Sequence, residues 1–325
     1  MIKFISQFVL AALMTQLSPV DAAQFESYVD EGSDSAALFT QQEILSYAIG
    51  LPESGLRFSA EYPTKIDEES FGIVTSARSH LVQDAHSGMT LVAKHPYQVR
   101  SIGSLTKLMT AMVFLDQQPV LNEFVSLDPE IDLVTGGRVY FGFYDALELE
   151  DVLAGSLVGS DNTATESLMR FSGLSEEVFI QAMNEKAISL GMDDSQFTDP
   201  TGIDATNMST ASDIVKLLRA AEEYPLIADY STRPTITITQ ESGRTVLIEN
   251  TNTLLTGILT EGSGEILVGK TGFLPQAGYV LAAAIEQDGD KVYVVVMGAE
   301  SKDARANEVK GLALWAFKTF AWPEL

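Results

Sequence analysis

The sequence predicts a mixed α/β domain, in which a largely antiparallel sheet is flanked by helices and its strands are separated by a helical lobe. Three observations carry this. Short apolar runs joined by turn signals stand at both ends of residues 76–320, and apolar residues at helical spacing fill the middle. No internal repeat is found, and after the first 22 residues no apolar run reaches the ~18 residues of a membrane span.

The first 22 residues read as a signal peptide. Lys3 supplies one positive charge, residues 4–17 are largely apolar but broken by Ser6, Gln7, Thr15 and Gln16, and Val20-Asp21-Ala22 sets small residues where a signal peptidase reads. Residues 23–72 carry ten acids against Arg57 and Lys65, with Gly, Ser and Pro punctuation and no sustained period. They read as an acidic tether, in which only residues 41–49 are spaced for a helical turn or two, with an arm docked over the domain as the alternative. Residues 73–325 form the folded domain. Residues 79–84 and 89–93 make a hairpin across Ala85-His86-Ser87-Gly88. Leu105, Leu108, Met109, Met112 and Val113 then recur at i, i+3, i+4, i+7 and i+8, which buries one stripe of a helix opening at Ser104. Helices are expected at 148–158, 162–171, 175–190 and 210–223. Residues 235–239 alternate strictly and meet 246–248, residues 279–285 meet 292–297, and a last helix runs from about 303 to 320.

Composition narrows the function classes. The 325 residues hold 45 acids and 20 bases, for a formal charge of -25. A chain so poor in clustered Lys and Arg is no nucleic-acid binder, and its charge disfavours an electrostatic membrane anchor. With no cysteine there are no disulfides, no zinc ribbon and no thiol catalysis. Aromatic and apolar content, 46% hydrophobic with 16 Phe and 10 Tyr, supports a sizeable core.

Three short motifs occur in order: Ser104-Leu105-Thr106-Lys107, Ser160-Asp161-Asn162 and Lys270-Thr271-Gly272. Each alone is weak; their order and placement give the signal. Ser104 and Lys107 are three apart at a helix start and so share a face. A serine hydroxyl is a poor nucleophile until a base takes its proton, and a neutral amine one turn away can do so. Burial beside another cation, with Lys270 the candidate, keeps such an amine uncharged. The helix N-terminus adds N–H groups where an oxyanion would develop. Ser160 can pass a proton between the lysine and a leaving group, and the Asn162 amide can hold a substrate peptide bond. Ser160-Asp161-Asn162 is equally a helix cap. Lys270 and Thr271 offer a cation and a hydroxyl to a terminal carboxylate, while Gly272 lets substrate backbone lie along a strand edge.

These motifs resemble the signature of penicillin-binding proteins and class A β-lactamases, and the surrounding sequence resembles the D-alanyl-D-alanine carboxypeptidase family, peptidase family S11. Residues 76–79 look like that family's domain start, and residues 101–111 its nucleophile helix. Met183-Asn184, Leu190-Gly191-Met192, residues 197–204, Ser209-Thr210-Ala211, Asn250-Thr251-Asn252 and Lys270-Thr271-Gly272-Phe273 match further. The resemblance covers about residues 76–320. It implies a β-lactamase/transpeptidase-like fold, Ser104 as the acylated nucleophile, Lys107 as general base, and Ser160 and Asn162 working with them. Lys270 and Thr271 would bind the substrate carboxylate, and the N–H groups of Ser104 and Phe273 would form the oxyanion hole. No metal or other cofactor is implied. Peptidoglycan stem peptides are the expected substrates and β-lactams the expected covalent inhibitors.

The sequence departs from the common family pattern at Asp161 (usually Gly), at Leu274 (usually polar) and at Thr201 (often His). The family's carboxypeptidases usually continue into a β-rich domain and a membrane helix; here the length reads as a leader, a tether and one catalytic domain with no stable anchor after signal cleavage. The shorter members resemble D,D-endopeptidases. The leading expectation is an exported serine-type D-Ala–D-Ala carboxypeptidase of the periplasm or cell-wall space. The alternatives are a D,D-endopeptidase that cuts crosslinks and a catalytically silent penicillin-binding module. A class A β-lactamase would need a deacylating carboxylate in a Glu-x-x-x-Asn context, which Glu166, Glu176, Glu177 and Glu185 all lack. A Ser-His-Asp triad would need a histidine, and His80, His86 and His95 all lie in or beside the first hairpin.

Overall fold

The computed structural model describes residues 62–256 and 264–323. The expected signal peptide, the tether as far as residue 61 and the helical turn at 41–49 lie outside the described residues. Strands β2 (Ser79–Asp84) and β3 (Thr90–Lys94) form the expected first hairpin. They join β10 (Glu265–Leu274), β11 (Gly278–Gln287) and β12 (Asp290–Ala299) in a five-stranded sheet of order β10-β11-β12-β2-β3, antiparallel throughout.

The sheet's centre is covered on both sides, which explains why β12 reads as an unbroken apolar run instead of an alternation. Its Val292, Val294 and Val296 face one core, and Tyr293, Val295 and Met297 face another. The first core is closed by the C-terminal helix α7 (Lys302–Thr319), which contributes Val309, Leu312 and Ala316. The second is closed by the helical lobe: α1 (Thr106–Asp116), α2 (Leu149–Val158), α3 (Asn162–Phe171), α4 (Glu176–Ser189) and α5 (Ala211–Glu222). Each fully buried Val or Leu in these cores contributes about 1.5–3 kcal/mol of hydrophobic stabilisation. Thr210, Ser175 and Ser301 cap α5, α4 and α7 through side-chain oxygens that accept backbone N–H groups, so these helices begin where the sequence puts a capping residue.

The expected elements are present within a residue or two. The structure adds strand β10, which no expected range covers, and several two-residue strands, and three further differences stand out. Ser104 lies in a 3-10 turn, Gly103–Leu105, and α1 proper begins at Thr106. A further helix, α6 (Pro225–Thr232), follows α5; Pro225 at its first turn is the local signal for it. The third difference concerns the tether, whose last part lies against the domain. Strand β1 (Thr64–Lys65) pairs with β13 (Phe320–Ala321), Ile66 N–H donates to the Thr319 carbonyl (2.8 Å), and the Trp315 indole N–H donates to Ser70 Oγ (2.6 Å). The partners are some 250 residues away in sequence, so the acidic composition of this stretch carries no trace of them. The 235–239 hairpin is β8 (Thr235–Thr239) with β9 (Thr245–Glu249). No helix among the described residues is long and apolar enough to cross a membrane.

Candidate active site

The three motifs converge where the edge strand β10 meets the lobe. Gly272 fixes how closely they meet: a Cβ there would lie 2.9 Å from the Ser104 backbone nitrogen and 3.0 Å from the Ile102 carbonyl. The strand therefore passes directly against the turn that carries Ser104, with Phe273 next along it. Phe273 is half exposed and stacks on Tyr279 at 4.4 Å between ring centroids.

Lys107 is fully buried, and its Nζ contacts Ser104 Oγ (3.3 Å), Asn162 Oδ1 (2.6 Å) and the Thr201 carbonyl (2.5 Å). Burial holds its pKa down to about 7, against the pull of the Asp199, Asp161 and Glu166 carboxylates. The amide oxygen and the carbonyl can only accept hydrogen bonds. A neutral amine that gives its two N–H groups to them has one lone pair left, and that lone pair is aimed at Ser104. Burial is the main cause, as the sequence predicts, but Lys270, the cation expected beside it, is not among the charges that act on Lys107. The cation effect falls on Lys270 instead, which is lowered by burial, then by Lys107 and then by Arg305.

Asn162 begins α3, and Asp161 is that helix's N-cap, so the motif is both cap and site. Asp161 Oδ1 accepts from the Ala164 N–H (3.1 Å) and Oδ2 from the Tyr140 N–H (2.9 Å), while Lys107 and Asn162 meet beyond it. Ser160 is held at φ +57°, in the left-handed region that costs a non-glycine residue about 1–3 kcal/mol, and this turns its hydroxyl toward Lys270 Nζ (2.8 Å). Lys270 also donates to the Thr271 carbonyl (3.1 Å), and the Thr271 hydroxyl meets that of Thr251 (2.6 Å). All eight residues singled out from the sequence, Ser104, Lys107, Ser160, Asn162, Lys270, Thr271, Gly272 and Phe273, thus border one groove.

Three other residues build this groove without having announced themselves. Arg305, on α7 and buried, donates to the Gly272 carbonyl (2.8 Å) and supports β10 from behind. Asp199 gathers the loop that supplies the Thr201 carbonyl: its Oδ1 accepts from the Thr201 N–H (2.6 Å), Thr201 Oγ1 (2.6 Å) and the Gly202 N–H (2.8 Å), and its Oδ2 accepts from the Asp204 N–H (3.0 Å) and from Asn207. Gly202, at φ +80°, lies where a Cβ would come within 2.1 Å of the Gly103 carbonyl oxygen, so only glycine lets this loop press on the nucleophile turn. The Asp-Pro-Thr-Gly string is a readable turn signal; Arg305 has none, because its partner is more than 30 residues away.

The rival groups stand apart. Glu166 sits one turn along α3, where burial and then the Glu176, Asp199 and Asp132 carboxylates push it up to about 7, and it makes no hydrogen bond to Ser104 or Lys107. His80 bonds Thr75 (3.0 Å), and none of the three histidines hydrogen-bonds Ser104. Among the described residues no group of three or more His, Asp or Glu side chains is placed to hold a metal ion.

A family model described as D-alanyl-D-alanine carboxypeptidase, peptidase S11, matches residues 67–301. The chain belongs to this family. An Escherichia coli protein named D-alanyl-D-alanine endopeptidase is 35% identical over 242 residues, spanning 73% of this chain and 76% of that one. Bacillus subtilis D-alanyl-D-alanine carboxypeptidase DacF is 24% identical over 249 residues, 75% of this chain and 63% of its own. Among solved structures, the Streptomyces K15 DD-transpeptidase superposes with a TM-score of 0.70 at 25% identity, over 77% of this chain and all of that one. Penicillin-binding protein D2 of Listeria monocytogenes, solved with cefotaxime bound, gives 0.64 at 26% identity over 76% of this chain and 99% of its own. This S11 chain therefore has the penicillin-binding protein fold and is a serine-type D-Ala–D-Ala peptidase.

Proposed function

We propose that this chain hydrolyses peptide bonds on the carboxyl side of D-alanine in exported peptidoglycan, through an acyl-enzyme on Ser104. The observation that carries the reading is the placement of the buried Lys107 amine, whose Nζ lies 3.3 Å from Ser104 Oγ and against two groups that can only accept, Asn162 Oδ1 and the Thr201 carbonyl. Ser104 Oγ attacks the D-Ala carbonyl as Lys107 takes its proton, and the N–H groups of Ser104 and Phe273 receive the oxyanion. Ser160, linked to Lys270, returns the proton to the departing amine. Water then attacks the acyl carbon as Lys107 takes its proton, the ester bond to Ser104 Oγ breaks, Lys107 returns the proton to that oxygen, and the acyl group leaves as a carboxylic acid. Lys270 and Thr271 face the carboxylate beyond the cleaved bond. Lys270's proton is loosely held by burial and cationic neighbours, and an arriving carboxylate favours its charged form.

The sequence alone favoured removal of a terminal D-Ala. Relatives named endopeptidase, however, are 32–35% identical to this chain, whereas those named carboxypeptidase are 24–29% identical. This supports crosslink cleavage as the first activity to look for. Both reactions break a D-alanyl amide and share every residue above; they differ in what lies beyond the bond. Digestion of purified peptidoglycan should split crosslinked dimers with the wild type, and Ser104→Ala should lose at least ~1,000-fold in rate. Loss of D-Ala from pentapeptides without dimer splitting would restore the carboxypeptidase reading. Equal digestion by Ser104→Ala would remove the serine mechanism.

A further inference from the structure

The loop before α2 closes one side of the groove and places an exposed arginine at its rim. The loop is pinned to the site residues at several points. Val134 N–H donates to Thr163 Oγ1 (3.2 Å) and Tyr140 N–H to Asp161 Oδ2 (2.9 Å). At Gly137 a Cβ would lie 2.6 Å from Asn162 Nδ2, so the loop backbone lies directly over the Asn162 amide, and at Gly136 it would lie 3.3 Å from Ile203 on the opposite loop. The Tyr140 ring packs so closely on Gly159, next to Ser160, that a Cβ there would come within 2.4 Å of it.

Arg138 projects from this pinned segment, one residue past Gly137. It is exposed, and its Nη1 donates to the hydroxyl of Tyr140 (3.2 Å), the residue whose ring packs on Gly159 beside Ser160. Among the described residues it has no ion-pair partner within 4 Å; Glu249, the carboxylate that acts on it, stands farther off. The site's other cations, Lys107, Lys270 and Arg305, are buried. In a chain of charge -25, an anionic substrate meets general repulsion, and an unpaired cation at the groove mouth offsets it locally.

The order of groups along the groove tells which part of a substrate reaches Arg138. On the reading above, the carboxylate beyond the cleaved bond faces Lys270 and Thr271, the reacting carbonyl lies at Ser104 and Phe273, and the preceding amide reaches Asn162. The residues before the cleaved bond therefore continue toward Gly137 and Arg138. We infer that Arg138 binds a side-chain carboxylate on the acyl-donor stem, so that this chain selects stem peptides whose third residue ends in a carboxylate beside its amine over those whose third residue is lysine. The inference rests on the proposed Ser104 reaction. A planar guanidinium suits it, because two N–H groups can grip both carboxylate oxygens.

The test compares three sets of synthetic donor stems, each ending in D-Ala–D-Ala or crosslinked through D-Ala. Their third residue is diaminopimelate, diaminopimelate with its side-chain carboxylate amidated, or lysine. The wild type should favour the free carboxylate by about 10- to 100-fold in kcat/KM, as expected for one hydrogen-bonded charge pair. Arg138→Ala should collapse that ratio toward one, Arg138→Lys should keep part of it, and Arg138→Glu should invert it. A merely structural role for the loop would lower all three substrates alike and leave the ratio standing, which overturns the inference. So would a wild type that turns over all three equally. If the wild type turns over none of them, the proposed reaction falls and the inference falls with it.

Discussion

The two walls of the groove each bury a lysine and treat it differently. On the helical wall, Lys107 is met by acceptors: Asn162 Oδ1, the Thr201 carbonyl and, farther out, the Asp199, Asp161 and Glu166 carboxylates. On the strand wall, Lys270 is met by a hydroxyl and its neighbour's carbonyl, and the charges nearest to it are Lys107 and Arg305. Burial alone would make both neutral. The surroundings then separate them: acceptors hold Lys107 poised near neutrality and aimed, whereas cations leave Lys270 as the place where a negative group is most welcome. Identical side chains are thereby suited to a proton acceptor and to an anion contact, and the difference comes from second neighbours more than from the lysines themselves.

The largest effect should come from exchanging the two. Lys107→Ala is expected to slow acylation by fluorescent penicillin about 1,000-fold, the scale of a lost general base. Lys270→Ala should cost about 10- to 100-fold, the scale of a lost charged contact. Equal losses, measured as second-order acylation constants, would mean that the walls are not specialised. Next in size is pH. Lys107 must be neutral to act, and its pKa is held at about 7, so the acylation rate should fall about tenfold per unit below pH 7 and level off above it. Glu166 titrates in the same range, and Glu166→Gln separates the two: the acid limb should persist in that variant. A limb that vanishes with Glu166 would assign the titration to the carboxylate. The smallest shift tests the second neighbours. Asp199 is the strongest of the charges that hold the Lys107 proton, so Asp199→Asn should move the acid limb to lower pH, while the loosened loop lowers the plateau a few-fold. A limb that stays put or moves upward would show that Asp199 acts only on the loop.

Which of these features the sequence revealed depended on range. Ser104 and Lys107 share a turn, Asp161 caps the helix that Asn162 begins, and the alternation at residues 235–239 makes its hairpin with residues 245–249, so all were legible from spacings of three to five residues. The periodic helices of the lobe were legible for the same reason. What stayed hidden was paired at long range: Arg305 with Gly272, Thr64 with Ala321, and the close approach of Gly202 to Gly103. No local pattern encodes these contacts, because each partner looks ordinary in its own neighbourhood. The source of the Lys107 depression was half legible: burial was expected, whereas the charges that act on the amine are the Asp199, Asp161 and Glu166 carboxylates and not the second lysine. A one-dimensional reading sees another lysine in a motif, but which charges gather around a buried amine is settled only in three dimensions.

The ladder between β1 and β13 has a consequence for how the domain can be attached to anything else. Thr64 lies opposite Ala321, and Trp322 donates to Asp84 (2.8 Å), which stands opposite Val292 near the β11–β12 turn. The groove lies at the other end of the sheet, beside the β10–β11 turn. The two ends of the described domain therefore share one corner, away from the residues of the site. Loss of residues 64–65 would therefore strip β13 of its partner without touching any residue of the site.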